Sequence, residues 1–276
     1  MKFFDEIITS RQNRIVVDTV KLSEKKARES AGLFRFDGVK LFGEALEKGV
    51  AIRRILLSEG KTKGILPEIM RREELLEGAS VSVLEDGVFS RVSEENAPEG
   101  IICVAEFPKK HIRNADVASF ECISADKDRR VLLLESVRDP GNMGTIMRSA
   151  AAFGVDTLVI SRDCADIYNP KTVRGAMGAL FKMNIFVFDD IRTAIECLKS
   201  SGRRVFAAAL DKTAVSLDKV AFGKGDTAIV GNEGHGLSPE AVSACTQSLY
   251  IPMEEGSESL NAGVAASVIL WKMYRG

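Results

Sequence analysis

Hydrophobic and polar positions follow two different periods along this chain, and the changes between them mark its elements. In the second half, 131–135 is a nearly continuous apolar run, as a strand buried on both faces requires. Met143, Ile146, Met147, Ala150 and Ala151 then recur at the spacing of one helical face, and Gly154 stands where a helix end takes a left-handed residue. Further strands are predicted at 155–161, 184–188, 205–210, 227–231 and 249–252, and Ile191, Ala194, Ile195 and Leu198 mark another helix. Such alternation predicts an α/β fold, a mostly parallel sheet with helices on both faces. Ligands of such sheets gather beyond the carboxyl ends of the strands.

The first half carries a helical pattern over 38–46 and short strands at 52–58, 81–84 and 101–105, which together predict a small α/β unit. Between the halves, 108–130 is mostly polar, interrupted by Val117, Phe120 and Ile123. The expected organisation is an N-terminal domain over 1–107, a linker over 108–130 and a larger domain over 131–276.

Composition narrows the class. The chain has 276 residues, 45% of them hydrophobic and 28% charged, with a mean hydropathy of +0.01. That balance predicts a soluble globular protein and excludes a disordered chain. The longest apolar stretch, 262–271, is broken by Ser267 and is far shorter than the roughly 20 residues of a membrane span. Asp5 and Glu6 occupy the place of a signal peptide's apolar core, so a cytoplasmic address is expected. Five cysteines without a C-x-x-C and only two histidines argue against a zinc site or a disulfide scaffold. Net charge is -1, yet residues 1–64 hold 14 Lys/Arg against 9 Asp/Glu, and residues 65–110 hold 5 against 10. The basic end is either a phosphate-facing surface or an uneven solvated one.

Three segments place Gly, Asn, Glu and Arg at strand ends. In Asp139-Pro140-Gly141-Asn142-Met143-Gly144-Thr145-Ile146-Met147-Arg148, Asn142 is a candidate helix cap and Arg148 falls on a different face from Met147. In Gly231-Asn232-Glu233-Gly234-His235-Gly236-Leu237-Ser238-Pro239, a strand ends in a glycine-rich turn, with Ser238 and Pro239 as an N-cap and first helical residue. The G-x-G-x-x-G spacing of a dinucleotide fold is absent, which argues against a dinucleotide-dependent enzyme. Ile251-Pro252-Met253 and Ser259-Leu260-Asn261 precede a helix rich in small residues: Ala262, Gly263, Ala265 and Ala266. Taken singly, each segment reads as well as a cap, a tight turn or a packed helix.

Taken together, N-x-G-x-x-x-R, G-x-E-x-x-G-L-S and I-P-M with S-L-N resemble the SpoU/TrmH family of RNA 2′-O-ribose methyltransferases, within the SPOUT superfamily. The resemblance covers most of 131–276. Phe34-Arg35-Phe36-Asp37-Gly38-Val39-Lys40 resembles, over a shorter stretch, the ribosomal-protein-like RNA-binding module that many members carry. The resemblance implies a trefoil-knotted sheet, S-adenosylmethionine bound in the knot, an RNA substrate and a homodimer, with no metal. Gly231, Ile251 and Leu260 match the family's methyl-donor contacts, with neighbouring backbone of Asn232, Met253 and Ala262. Asn142, Arg148, Glu233 and Asn261 match its active-site positions, and Lys171 and Arg174 are assigned to RNA contact. The family commonly reads S-L-N-V-S, whereas Gly263 lacks the last hydroxyl.

The implied reaction is methylation of a ribose hydroxyl, most naturally of ribosomal RNA, with positioning as a large part of the rate. An arginine is an awkward general base at neutral pH. Arg148 is therefore expected to orient the hydroxyl and a substrate phosphate and to stabilise the developing oxyanion, with Asn142 and Asn261 holding it and the ribose in place. The alternative is a non-catalytic RNA-binding ribosome assembly factor on the same scaffold.

Overall fold

The apolar runs of the first half pair into a mixed sheet. In the computed structural model, which describes residues 2–3, 6–254 and 259–276, β1 (Lys2–Phe3), β2 (Leu33–Asp37), β3 (Ile52–Ser58), β4 (Ser80–Leu84) and β5 (Ile101–Glu106) lie in the order β1-β4-β3-β5-β2. β4 runs parallel to β1 and β3, while β5 is antiparallel to β3 and β2. Helices α1 (Arg14–Lys21), α2 (Lys25–Ala31), α3 (Val39–Glu47), α4 (Thr62–Met70) and α5 (Asp86–Val92) accompany this sheet. Val16 of α1 and Val88, Phe89 and Val92 of α5 pack with Leu56, Leu84 and Ile102 in one apolar cluster. Gly38, at φ 108, makes the turn from β2 into α3 in a conformation that only glycine adopts freely.

The second half forms a sheet in which every neighbouring pair is parallel, in the order β11-β13-β10-β12-β7-β8-β9-β6. Its elements run β6 (His111–Ile112), α6 (Val117–Ala125), β7 (Val131–Leu134), α7 (Pro140–Ala152), β8 (Thr157–Ser161), then α8 (Pro170–Ala176) and α9 (Ala179–Lys182), then β9 (Asn184–Phe188) and α10 (Ile191–Ser200). They continue with β10 (Val205–Ala208), β11 (Val215–Ser216), β12 (Thr227–Val230), α11 (Pro239–Ala244), β13 (Gln247–Tyr250) and α12 (Ala262–Arg275). Val131 and Leu133 of β7 point into a cluster with Phe120, Ile195, Leu198 and Ala241 of α6, α10 and α11. The alternating Leu132 and Leu134 are equally buried and face the other side, where α7 and α12 pack on each other. β7 therefore carries an unbroken apolar run because both of its faces are covered.

The chain divides into two units whose boundaries differ from the expected domains. One unit is 1–108 together with 168–181; the other is 109–167 together with 182–276. Residues 108–130, expected as a linker, hold β6 and α6, and Phe120 is fully buried in the second unit. Val117, by contrast, is exposed. The excursion 168–181 belongs to the first unit for an aromatic reason. Tyr168 stacks on Phe107 with centroids 4.0 Å apart and meets Phe34 at 4.9 Å, and Phe181 meets Phe36 at 5.2 Å.

Among the described residues no helix is long and apolar enough to cross a membrane, and no group of three or more His, Cys, Asp or Glu could hold a metal ion. All five cysteines are free thiols. Burial pushes Cys164 up to about 11 and Cys245 up to about 12, so neither is a thiolate at neutral pH.

Candidate functional site

Three neighbouring strands of the second sheet, β13, β10 and β12, end side by side, and their carboxyl ends open into a cavity. It measures about 450 Å³ and is bounded by the 231–236 loop, Ile251, Met253, Ser259 and Leu260, and the first turns of α12. Gly231, Asn232, Ile251, Met253, Leu260 and Ala262 all line it, as does Glu233. Leu210, Tyr250 and Ile269, which the motifs did not single out, complete the apolar wall with Ala265. Leu210, at the rim, is 83% exposed.

The loop over this cavity is folded by its own side chains. A Cβ added to Gly231 would stand 2.4 Å from the Gly236 carbonyl carbon and 2.5 Å from the Leu237 nitrogen, so only glycine fits. Asn232 and Gly236 exchange backbone hydrogen bonds at 2.9 and 3.0 Å. The Asn232 amide donates to the Ser136 carbonyl at 2.8 Å, and its oxygen accepts from the Gly234 and His235 N–H groups at 2.8 and 3.1 Å. Asn232 thus shapes the loop with its side chain. Glu135, at the end of β7, accepts from both the N–H and the hydroxyl of Ser238 at 2.8 and 2.7 Å, which anchors the far end of the loop. Ser238 in turn caps α11, with Pro239 as its first residue. Between Glu135 and the loop's other anchor, Ser136 sits at φ 55, a left-handed conformation costly for a residue with a Cβ.

Beside the cavity, three of the four expected active-site residues form one hydrogen-bonded chain. The Asn261 amide donates to Asn142 Oδ1 at 2.8 Å, and the Asn142 amide donates to Glu233 Oε1 at 3.0 Å. Glu233 also accepts from the Arg138 and Asp139 N–H groups at 3.3 and 3.2 Å. Burial raises its carboxyl, but the Asn142 amide and these backbone donors outweigh that and hold it below the usual glutamate range. It is therefore ionised at neutral pH. Asn142 is not the cap of α7. Asp139 is, accepting from the Asn142 N–H at 2.8 Å, because Pro140 suits the first helical position and leaves the cap to the residue before it. Asn261 does cap its helix, accepting from Gly263 and Val264 N–H at 2.9 and 3.3 Å.

Arg148 stands apart from this chain. It is exposed, it does not line the cavity, and its side chain has no hydrogen bond or ion pair among the described residues. Asn142 and Asn261 hold each other and Glu233 rather than the arginine, because six residues along α7 means about 9 Å of rise and a face turned by about 120°. Gly263 has a local explanation. A Cβ there would meet the Thr145 Cγ2 and Cβ at 3.2 and 3.3 Å, so α12 approaches α7 where Thr145 fills the space. Lys171 and Arg174 lie on α8, in the first unit, where Arg174 faces Glu95 at 4.0 Å. Arg35, part of the N-terminal motif, is buried and occupied by the Val92 carbonyl and Glu94.

The cavity wall carries no Lys or Arg among the described residues, and Glu233 is its one carboxylate. Such a wall suits a ligand with a flat apolar part and a positive centre. S-adenosylmethionine has these properties.

Residues 13–103 match the MRM3-like substrate binding domain, and residues 129–271 match the SpoU rRNA methylase family. The 23S rRNA (guanosine(2553)-2′-O)-methyltransferase RlmP of Bacillus subtilis (strain 168) is 31% identical over 266 residues, covering 96% of this chain and 98% of its own length. The crystal structure of an AdoMet-bound rRNA methyltransferase from Sinorhizobium meliloti is similar with a TM-score of 0.83 and 26% identity, over 98% of this chain and 97% of that one. The SpoU methyltransferase AviRb from Streptomyces viridochromogenes, in complex with AdoMet, gives a TM-score of 0.79 and 25% identity over 95% of this chain and 98% of that one. With over half of its length matched by one family and a relative that spans nearly all of it, the chain belongs to the SpoU rRNA methylase family.

Proposed function

We propose that this protein transfers a methyl group from S-adenosylmethionine to a ribose 2′-hydroxyl of RNA, with ribosomal RNA as the substrate class. The observation that carries this reading is the meeting of a largely apolar cavity and the Asn261–Asn142–Glu233 chain at the carboxyl ends of a parallel sheet. RlmP and AviRb, the first an rRNA 2′-O-methyltransferase by name and the second solved with AdoMet, support it.

When bound, S-adenosylmethionine supplies a methyl group activated by its sulfonium. Gly231, Asn232, Ile251, Met253, Leu260 and Ala262 would hold it, through strand-end backbone and apolar side chains. The ionised Glu233 fixes the Asn142 amide, which with Asn261 presents a rigid polar edge against which a ribose can be set. Arg148, a cation with no carboxylate partner among the described residues, orients a substrate phosphate and stabilises charge that develops on the ribose oxygen, whose proton passes to that phosphate. Lys171 and Arg174 add RNA contacts on the first unit.

The site is completed by a second copy of the chain. Thr145, Phe153, Gly263, Val264, Ser267, Val268 and Trp271 form an exposed, largely apolar groove along α7 and α12, in which Val264 is 48% and Trp271 54% exposed. Arg148 falls on the strip of α7 beside Thr145, so pairing over this groove puts the arginine at the subunit boundary. Labelled methyl transfer to total, unmodified ribosomal RNA tests the reading. Label on a ribose that disappears with Arg148→Ala, while S-adenosylmethionine affinity stays, is the expected result. RNA binding with no label from the wild-type protein would leave the assembly-factor role in its place.

A further inference from the structure

The edge of the second sheet opposite the cofactor cavity holds another cavity. It measures about 370 Å³ and opens where the chain enters β7, β8 and β12, at Arg130, Val155 and Asp226. Phe153, Phe222 and Tyr274 form its walls, and Lys127, Arg130, Lys224 and Arg275 stand around its mouth. The two aspartates that line it are already engaged. Asp226 accepts from Arg204 and from the Gly223 N–H at 2.6 Å, and Asp128 pairs with Lys224. Lys127, Arg130 and Arg275 have no carboxylate partner among the described residues.

The cations and rings are also arranged. Arg130 donates to the Phe153 carbonyl at 2.9 Å, and its guanidinium carbon lies 5.3 Å from the centroid of the Tyr274 ring. The Phe153 and Tyr274 centroids are 5.9 Å apart, so one fixed guanidinium is held beside two rings. Lys127 passes over glycines: a Cβ on Gly225 would stand 3.2 Å from its Cβ and Cγ, and one on Gly202 would stand 3.2 Å from its Nζ. A side chain at either glycine would push the ammonium off the mouth. The volume falls within the range of about 300 to 1,000 Å³ usual for small-molecule sites. Aromatic walls accept the face of a base, and a fixed guanidinium with flanking ammonium groups accepts a phosphate.

We propose that this cavity is a second nucleotide site, which takes one nucleoside phosphate at the end of the sheet away from the methyl-transfer cavity. An unpaired nucleotide of the RNA substrate fits it, several nucleotides along the strand from the one that is modified. That assignment rests on the RNA-methylating function proposed above, whereas the chemistry of the site does not.

The test uses the full-length protein. Total ribosomal RNA carrying 4-thiouridine is bound and photocrosslinked, and the crosslinked peptides are mapped. Attachment at Phe222 or Tyr274 is expected. Lys127→Glu combined with Arg275→Glu is expected to weaken RNA binding about tenfold and to reduce the log–log salt slope by about 2. Methyl transfer at saturating RNA and S-adenosylmethionine should keep its wild-type rate. Free AMP, CMP, GMP and UMP are titrated in parallel, and binding that the double variant abolishes, without an RNA crosslink, would keep the site and make a free nucleotide its ligand. Absence of both the crosslink and such binding overturns the proposal. The two readings fail separately: a wild-type protein that transfers methyl but shows neither signal loses only this site, and one that crosslinks here without transferring methyl loses only the enzymatic function.

Discussion

The side-chain amide of Asn261, the cap of α12, donates to the side-chain oxygen of Asn142 in the first turn of α7, 2.8 Å away and 119 residues earlier in the chain. Because Asn142 must accept from Asn261 and donate to Glu233, neither its amide nor that of Asn261 can be flipped without setting like groups together. The joint between the two helices is thus also the polar edge of the site.

Asn142→Asp removes the donor and sets a carboxylate against Glu233. Methyl transfer should fall by about 100-fold or more, the scale on which small misplacements act, and the Glu233 carboxyl should titrate higher than in the wild type. Rate measurement together with NMR titration of Glu233 checks this; an unchanged rate would remove the chain of amides from the mechanism.

Gly263→Ser forces a Cβ against Thr145 and Asn261, at 3.1 to 3.3 Å. A cost of about 1 kcal/mol is expected for such crowding, with the share due to the Thr145 Cγ2 recovered when Thr145→Ala is added. Chemical denaturation of the two single variants and the double variant measures the coupling between them.

Burial raises the Asp37 carboxyl to about 6, against the opposing Ser93 hydrogen bond and the Arg35 charge. The folded state then binds its proton more tightly than the unfolded state, so the contribution of Asp37 to stability falls as pH climbs from about 4 to about 6 and stays level above that. Asp37→Asn should stabilise the protein at pH 7 by about 1 kcal/mol and have little effect at pH 4. Denaturant midpoints at the two pH values would show the difference, and equal shifts at both would exclude titration as the cause.

Trp271→Glu puts a charge in the apolar groove of α7 and α12. Sedimentation velocity should show a dimer for the wild-type protein and a monomer for the variant at micromolar concentration. A wild-type monomer would return Arg148 to the surface of a single chain.

The strands of the parallel sheet were legible because burial on both faces writes a continuous apolar run: β9 coincides with the expected 184–188 and β7 lies within the expected 131–135. The cap of α7 was misplaced by three residues because Asn and Asp are equally good caps, and the choice depends on Pro140. α6 was hidden in a polar stretch because one residue, Phe120, carries most of its burial. At the site, the motifs located the cavity residues but not Leu210 or Tyr250, which carry no chemistry of their own, nor Glu135 and Ser136, whose roles come from contacts across about 100 residues of chain. The isolation of Arg148 could not be read from spacing, since spacing reports a helical face and not what lies opposite it.

The return of residues 168–181 to the first unit sets a timetable for synthesis. When residue 108 leaves the ribosome, the sheet that ends with β5 has its strands, and Phe34 has Phe36 and Phe107 beside it, but Tyr168 and Phe181, which complete the ring cluster, are still to come. A nascent chain cannot complete this ring cluster before residue 181 is made, so the apolar face at Phe34 and Phe107 stays available to chaperones or to neighbouring chains until then. A fragment ended at 108 carries the same uncovered face permanently and should be recovered mainly as aggregate.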